Sequence, residues 1–242
     1  MRIIIVRHAE PDYEHNTVTE KGRREAELLS LALEKVRVDE YYCSPLGRAQ
    51  HTAAPTLKLL GREAETLDWM REFDARMPDP DTGEIRNVAW DLMPRHWMDD
   101  ERFFDPVRWR ETPYAQSGDM IEKYDAVARG LDEIIAKHGY TRHGRYYVTE
   151  QGNEDCVMLF CHIGAGCVML SHLLNISPFV LWHGTTALPT GVTVAVTEER
   201  EKGIAAFRML TYGSLHHLYA GKEEASFSAR FCEVFENEHE RH

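Results

Sequence analysis

No stretch of the 242-residue chain approaches the ~18 uninterrupted apolar residues of a membrane span. The opening MRIIIVRHAE carries four apolar residues after Arg2 before Arg7 interrupts them, so it does not read as a signal peptide. Basic charge is also short. The 28 lysines and arginines face 40 acidic residues, for a formal net charge of −12. Nucleic-acid binding, which needs a basic face, is disfavoured, although a basic pocket can sit inside an acidic protein. Cysteine is scarce and odd in number, at five. Three of these lie in or beside apolar stretches, and all read as reduced, mostly buried thiols of a cytoplasmic protein. Repeats and low-complexity segments are missing. What is present, 43% hydrophobic and 28% charged residues, describes a globular chain long enough to bury a core without staples.

The hydrophobic pattern alternates between strand and helix. Arg2-Ile3-Ile4-Ile5-Val6 is a short β-branched run that reads as a central strand buried on both faces. Thr19 is placed to cap a helix carrying Ala26, Leu29, Leu33 and Val36. Glu40–Cys43 reads as a second strand, followed by a helix that Ser44 can cap and that ends near Gly61, with Pro55 predicting a kink or a late start. A short strand is expected at 65–67. Residues 118–137 hold a helical stripe from Ile121 to Ile135, and 138–153 a polar connection or hairpin. Cys156–Cys161 is a further buried strand, with His162 at its carboxyl end and an apolar helix over 164–174. Residues 191–197 and 204–210 read as paired strands, His216-His217 as a strand-to-helix turn, and the residues from Glu233 as a charged, fraying tail. Residues 73–118 differ in character, with five of the ten prolines and three of the five tryptophans (Trp90, Trp97, Trp109). The whole, 1–242, is expected to be one domain with 73–118 as an inserted cap having one or two short helices and a tryptophan core of its own.

Strands alternating with helices imply a three-layer α/β sandwich with a mostly parallel sheet. Such sheets bind ligands beyond the carboxyl ends of their strands. Arg7 and His8 end the first strand, Ser44 and Arg48 follow the second, Arg71 and Glu72 the third, and His162 ends the fourth. Two arginines, two histidines and a carboxylate thus meet on one rim. Guanidinium forks match phosphate oxygens and stay charged at neutral pH. A phosphoryl group in flight keeps its charge on equatorial oxygens, so fixed cations supply much of its catalysis. A histidine with one neutral nitrogen can accept it, and a carboxyl group can protonate the leaving oxygen and then take a proton from water.

Arg7-His8-Ala9-Glu10 resembles the Arg-His-Gly-Glu signature of the histidine phosphatases, the superfamily that includes cofactor-dependent phosphoglycerate mutases. Thr19-Glu20-Lys21-Gly22 with Ala26 resembles its Leu-Thr-x-x-Gly-x-x-Gln-Ala helix start. Ser44–Ala53 is similar to its Ser-x-Leu-x-Arg-Ala-x-x-Thr-Ala segment, and Phe160-Cys161-His162 to the strand ending in its second histidine. The resemblance runs in order from residue 1 to about 215 and skips the insertion. It implies that His8 is the nucleophile, that Arg7 and Arg48 grip the phosphoryl oxygens, and that His162 is a second, protonated histidine of the pocket. One branch places Asp directly after that histidine. Here Ile163 stands there, so the resemblance implies Glu72 as proton donor, with Asp74 and Glu10 as rivals. It implies no cofactor and no metal. A small phosphorylated substrate is the expected partner, with no nucleic acid and no membrane; nothing fixes the oligomeric state.

Three departures accompany it. Ala9 replaces Gly, and a positive φ there would cost about 1 kcal/mol. Ile163-Gly164-Ala165-Gly166 shifts the usual glycines, and the Trp-Glu-Gly pattern after the acid is missing. Asn16 and Thr19 suit turn and capping roles better than substrate contact. Cys156, Cys161, His162 and Cys167 do not have zinc-site spacing. The expected activity is phosphomonoester hydrolysis through phosphohistidine; the alternatives are mutase-type transfer, disfavoured by Glu10-Pro11-Asp12-Tyr13 after the nucleophile, and phospholigand binding without turnover. Specificity is expected in 73–118, with 138–153 as a second stretch.

Overall fold

The structure is a computed structural model and describes residues 1–240. The last residues of the expected charged tail, 241 and 242, lie outside the described residues. Arg2–Arg7 (β1) sits near the middle of an eight-stranded sheet. Glu40–Cys43 (β2), Glu65–Thr66 (β3), Thr141–His143 (β4), Tyr146–Val148 (β5), Cys156–Cys161 (β6), Val192–Glu201 (β7) and Ile204–Ser214 (β8) complete it, in the spatial order β3-β2-β6-β1-β7-β8-β5-β4. β1, β6, β2 and β3 pair in parallel, while β7, β8, β5 and β4 join by antiparallel steps. Only β7 and β5 therefore run against the rest, and the sheet is mostly parallel in strand direction.

Side chains alternate across the strands and divide the interior in two. Ile4, Val6, Met158 and Phe160 face Glu20–Leu33 (α1) and Gly47–Leu60 (α2), which bring Leu29, Leu33, Ala49 and Ala53. Ile3, Ile5, Val157 and Leu159 face Met120–Lys137 (α3) and Ile163–Leu174 (α4). The α/β sandwich expected from the pattern is the observed fold. No helix among the described residues is long and apolar enough to cross a membrane.

Local chemistry explains most boundaries. Thr19 caps α1 as expected, its Oγ1 accepting from Gly22 N at 3.0 Å. Ser44 does not cap α2. That helix begins at Gly47 after Leu46, and the Ser44 hydroxyl is engaged elsewhere. α2 also runs unbroken through Pro55. The carbonyl that loses its partner there is that of His51, an exposed residue, where water can replace the missing N–H. Pro178–Gly184 (α5) was not anticipated; it is short and apolar, with Pro178 at its first turn. His216–Gly221 (α6) follows β8, as the His216-His217 turn predicted. β7 extends past its expected end because charged residues continue the ribbon, with Glu198 paired to Arg208 across it at 2.9 Å, and β8 runs on through Thr211–Ser214, where it pairs with Val194 and Val192.

Two regional expectations change. The 138–153 segment forms the β4–β5 hairpin, but it pairs with Ile204 and Ala205, at the end of the sheet opposite His8. Its neighbour is the chain's amino group, which donates to Asn153 O at 2.8 Å, so it does not wall the site. The 73–118 segment is a series of tight helical turns and a small ribbon. Its tryptophans form no private core. Trp109 is fully buried, with ring centroids 5.0 Å from Tyr124 in α3 and 6.0 Å from Phe179 in α5, and Trp97 lies 4.8 Å from His183. A stretch this short gains more by sharing the domain's core.

Candidate active site

The carboxyl ends of three neighbouring strands are level. His8 N donates to Cys161 O at 2.9 Å, and Ser44 N donates to Phe160 O at 2.9 Å. The register therefore sets His8, Ser44 and His162 side by side. The His8 and His162 rings are 5.1 Å apart, centre to centre. His8 Nδ1 lies 2.7 Å from Ala9 O. A carbonyl can only accept, so Nδ1 carries the proton and the lone pair is on Nε2. Burial pushes the His8 pKa well below its usual value, and the Arg7 and Arg48 charges push the same way. The result is a neutral imidazole with a free nitrogen.

His162 Nε2 is 2.7 Å from Ser44 Oγ, and its Nδ1 is buried without a hydrogen-bond partner. Burial, then His8, Arg48 and Arg7, hold its pKa well below normal. The protein by itself thus favours a neutral His162, against the protonated form implied by resemblance. A further cation in a dry pocket that already holds two guanidinium groups is electrostatically unfavourable.

Arg7 is buried. Its Nη1 donates to Ala187 O at 2.7 Å and to Ser228 O at 3.4 Å, while its Nε has no partner. Residues just before the charged tail therefore return to the site. Arg48 enters from the first turn of α2, with its Nε also buried and unpartnered and its guanidinium 5.3 Å above the exposed Tyr13 ring. Glu72 completes the group. Its Oε1 accepts from Phe73 N at 2.8 Å and from Gly164 N and Ala165 N, in the first turn of α4, at 3.0 and 3.2 Å. Burial raises its pKa, opposed by the Phe73 N–H, by Arg48 and Arg7, and by the Ala165 N–H. Of the shifted glycines, Gly164 thus donates to this carboxylate, whereas Gly166 N donates to His162 O at 3.0 Å. Of its rivals, Asp74 is exposed and paired with Lys123 at 2.5 Å, and Glu10 accepts from Thr19 Oγ1 at 2.8 Å.

All five expected residues are brought together. Ala9 is not among the residues with positive φ, so the strain feared at that position does not arise. Several supporting residues escaped the sequence reading. Thr52 Oγ1 accepts from Ala9 N at 2.8 Å and donates to Arg48 O at 2.7 Å. Glu25 Oε2 accepts from Glu10 N at 2.8 Å. Thr190, at a φ of 58°, donates its N–H to His8 O at 3.2 Å. Thr52 lies inside the quoted Ser44–Ala53 segment and Glu25 at the Gln position of the quoted helix start, so both could have been found there; Thr190 carries no local signal. Among the described residues no three His, Cys, Asp or Glu side chains gather as a metal-ligand set.

The histidine phosphatase superfamily (branch 1) matches residues 3–209, and the chain belongs to it. A probable phosphatase of Schizosaccharomyces pombe is 22% identical over 184 residues, covering 72% of this chain and 74% of that protein. A phosphoserine phosphatase from Entamoeba histolytica has the same fold, with a TM-score of 0.58 and 18% identity over 90% of this chain and 98% of its own. A mycobacterial glucosyl-3-phosphoglycerate phosphatase gives 0.60 and 16% over 88% and 98%. By family the protein is a phosphatase-type enzyme.

Proposed function

We propose that the protein hydrolyses phosphomonoesters of small molecules through a phosphohistidine formed on His8. The observation that carries this reading is the set of buried polar atoms without partners around the His8 ring: Arg7 Nε, Arg48 Nε and His162 Nδ1. Buried polar groups are nearly always hydrogen-bonded, and a phosphoryl group offers several acceptor oxygens at once.

In the first step the His8 Nε2 lone pair attacks phosphorus in line and the ester P–O bond breaks. Glu72 gives its proton to the departing oxygen. Arg7, Arg48 and His162 hold the equatorial oxygens, and the dianion would itself raise the His162 pKa and favour its protonated form. In the second step water attacks phosphorus, Glu72 takes the water's proton, the P–N bond breaks and the lone pair returns to Nε2. The positive charge comes from side chains, so a chelator should leave the rate unchanged.

The test is a panel of small phosphomonoesters, phosphoserine among them in view of the relatives' names. Steady phosphate release should fall by about 10³-fold or more in His8→Ala, as for loss of a covalent nucleophile. Quenched wild-type protein should carry a phosphoryl group that is labile to acid and stable to base. Equal turnover by His8→Ala would overturn the proposal. Phosphoglycerate supplied with a trace of its bisphosphate should yield free phosphate; conversion to the isomer would instead mark a mutase.

A further inference from the structure

We propose that Trp90, carried by the inserted 73–118 segment, is a positioning residue for the acid: its indole closes the side of Glu72 that the first turn of α4 leaves open, so the insertion decides how much water reaches the carboxyl group. This rests on the assignment of Glu72 under the proposed function. The geometry is read at Gly164. A Cβ at that position would overlap Trp90 Cζ3, lie 3.0 Å from its Cε3 and sit 2.8 Å from Glu72 Oε1. The ring edge and the carboxylate oxygen therefore flank the same point beside Gly164, and the missing side chain there is what leaves room for both. Trp90 is held in place, since Ala89 and Leu92 beside it are buried in the core and its own ring packs against that core.

The chemistry follows from desolvation. An indole offers this carboxyl group an apolar edge and displaces water that would otherwise solvate the anion. The other groups facing Glu72 favour ionisation: Arg7 from β1, Arg48 from α2 and the N–H groups of Phe73 and Ala165. Gly164 N–H donates as well, and the buried Cys161 and Cys167 thiols interact with it from β6 and α4. Burial is the largest influence and acts against these cations and donors. Removing the indole weakens only that influence, so ionisation begins at lower pH.

The experiment is the pH profile of kcat/KM for Trp90→Ala and Trp90→Phe, measured with phosphoserine, whose alkoxide leaves poorly, and with nitrophenyl phosphate, whose phenolate needs little protonation. For Trp90→Ala with phosphoserine, the alkaline limb should move down by about one pH unit, a tenfold loss above it. With nitrophenyl phosphate the loss should be small, and Trp90→Phe should restore the limb. If Trp90→Ala does not fold, Trp90→Gln leaves a smaller cavity, admits water and carries the same test. An unshifted limb in a folded variant overturns the inference, as does a loss that is uniform across pH and equal for both substrates. Glu72→Gln in parallel separates the two readings. If it leaves the alkaline limb and the phosphoserine rate unchanged, the assignment of Glu72 has failed; if it abolishes the limb while the Trp90 variants do nothing, only the role of Trp90 has.

Discussion

Under α1 and α2 the sheet is covered by a thin core in which Ala49 and Ala53 face Ile4, Val6 and Phe160, whereas the opposite face carries Trp97, Trp109, Phe179 and Trp182 and extends under the whole inserted segment. The two faces supply different parts of the site. Small residues let α2 approach until the Thr52 hydroxyl reaches Ala9 N, and the same turn of helix delivers Arg48. The thick face delivers the acid through a backbone cradle at the start of α4 and a ring from the insertion. On the first face the proposed phosphate grip, Arg48, and its support, Thr52, come from contiguous sequence. The second assembles its contribution from residues far apart in the chain, and its packing and its chemistry cannot be separated.

That difference is open to attack from both sides. Arg48→Ala should lower kcat/KM by roughly 10²–10³-fold, the loss of one charge-assisted grip on the transferring group. Its thermal midpoint without substrate should stay level or rise, because the guanidinium is largely buried and unpartnered at Nε. A clear fall in the midpoint would mean that the thin face depends on Arg48 for packing after all. Gly164→Ala should behave oppositely. Its Cβ has no room beside Trp90 and Glu72, so the ring must move, at an overpacking cost of about 1–3 kcal/mol. Stability and kcat/KM should fall together, the latter roughly tenfold and most at alkaline pH. Lost activity with an unchanged midpoint would separate what the comparison joins.

The same contrast governs what could be read from the sequence. Arg7, His8 and Arg48 were legible because strand ends and a contiguous segment place them, and His162 because β6 is an unbroken buried run. Ser44 was legible as a residue and misread as a cap, since its partner His162 lies 118 positions away. The neutral state of His162 depends on burial and three neighbouring groups from different elements, which no local pattern encodes. Trp90 was legible only as one of the insertion's tryptophans, expected in a core of its own. Its role depends on a glycine in another element, and the insertion's irregular turns have no periodicity from which a facing side could be inferred. Thr190 is silent, because β-branched residues seldom adopt its backbone conformation and sequence reasoning would not place one there.

The smallest effect lies on the thin face. The phosphatase pattern has Gln-Ala where this chain has Glu25-Ala26. Glu25 is fully buried, Oε2 holding Glu10 N and Oε1 without a partner; Lys21 Nζ is 4.0 Å away. Burial, helped by Glu10 and Glu223, raises its pKa from 4.5 to about 7, with the Glu10 N–H and Lys21 opposing. Between pH 4.5 and about pH 7 the folded protein keeps a proton that the unfolded chain has released, so stability is greatest below that window and declines as pH rises through it. Glu25→Gln stays neutral and can still accept from Glu10 N. Denaturant unfolding across the window should therefore show a flatter profile for the variant, with a gain on the order of 1–3 kcal/mol at pH 8 and little change at pH 4.5. Parallel profiles would mean that Lys21 neutralises the buried carboxylate in the folded state, and that the thin face carries no strain beyond the arginines it presents.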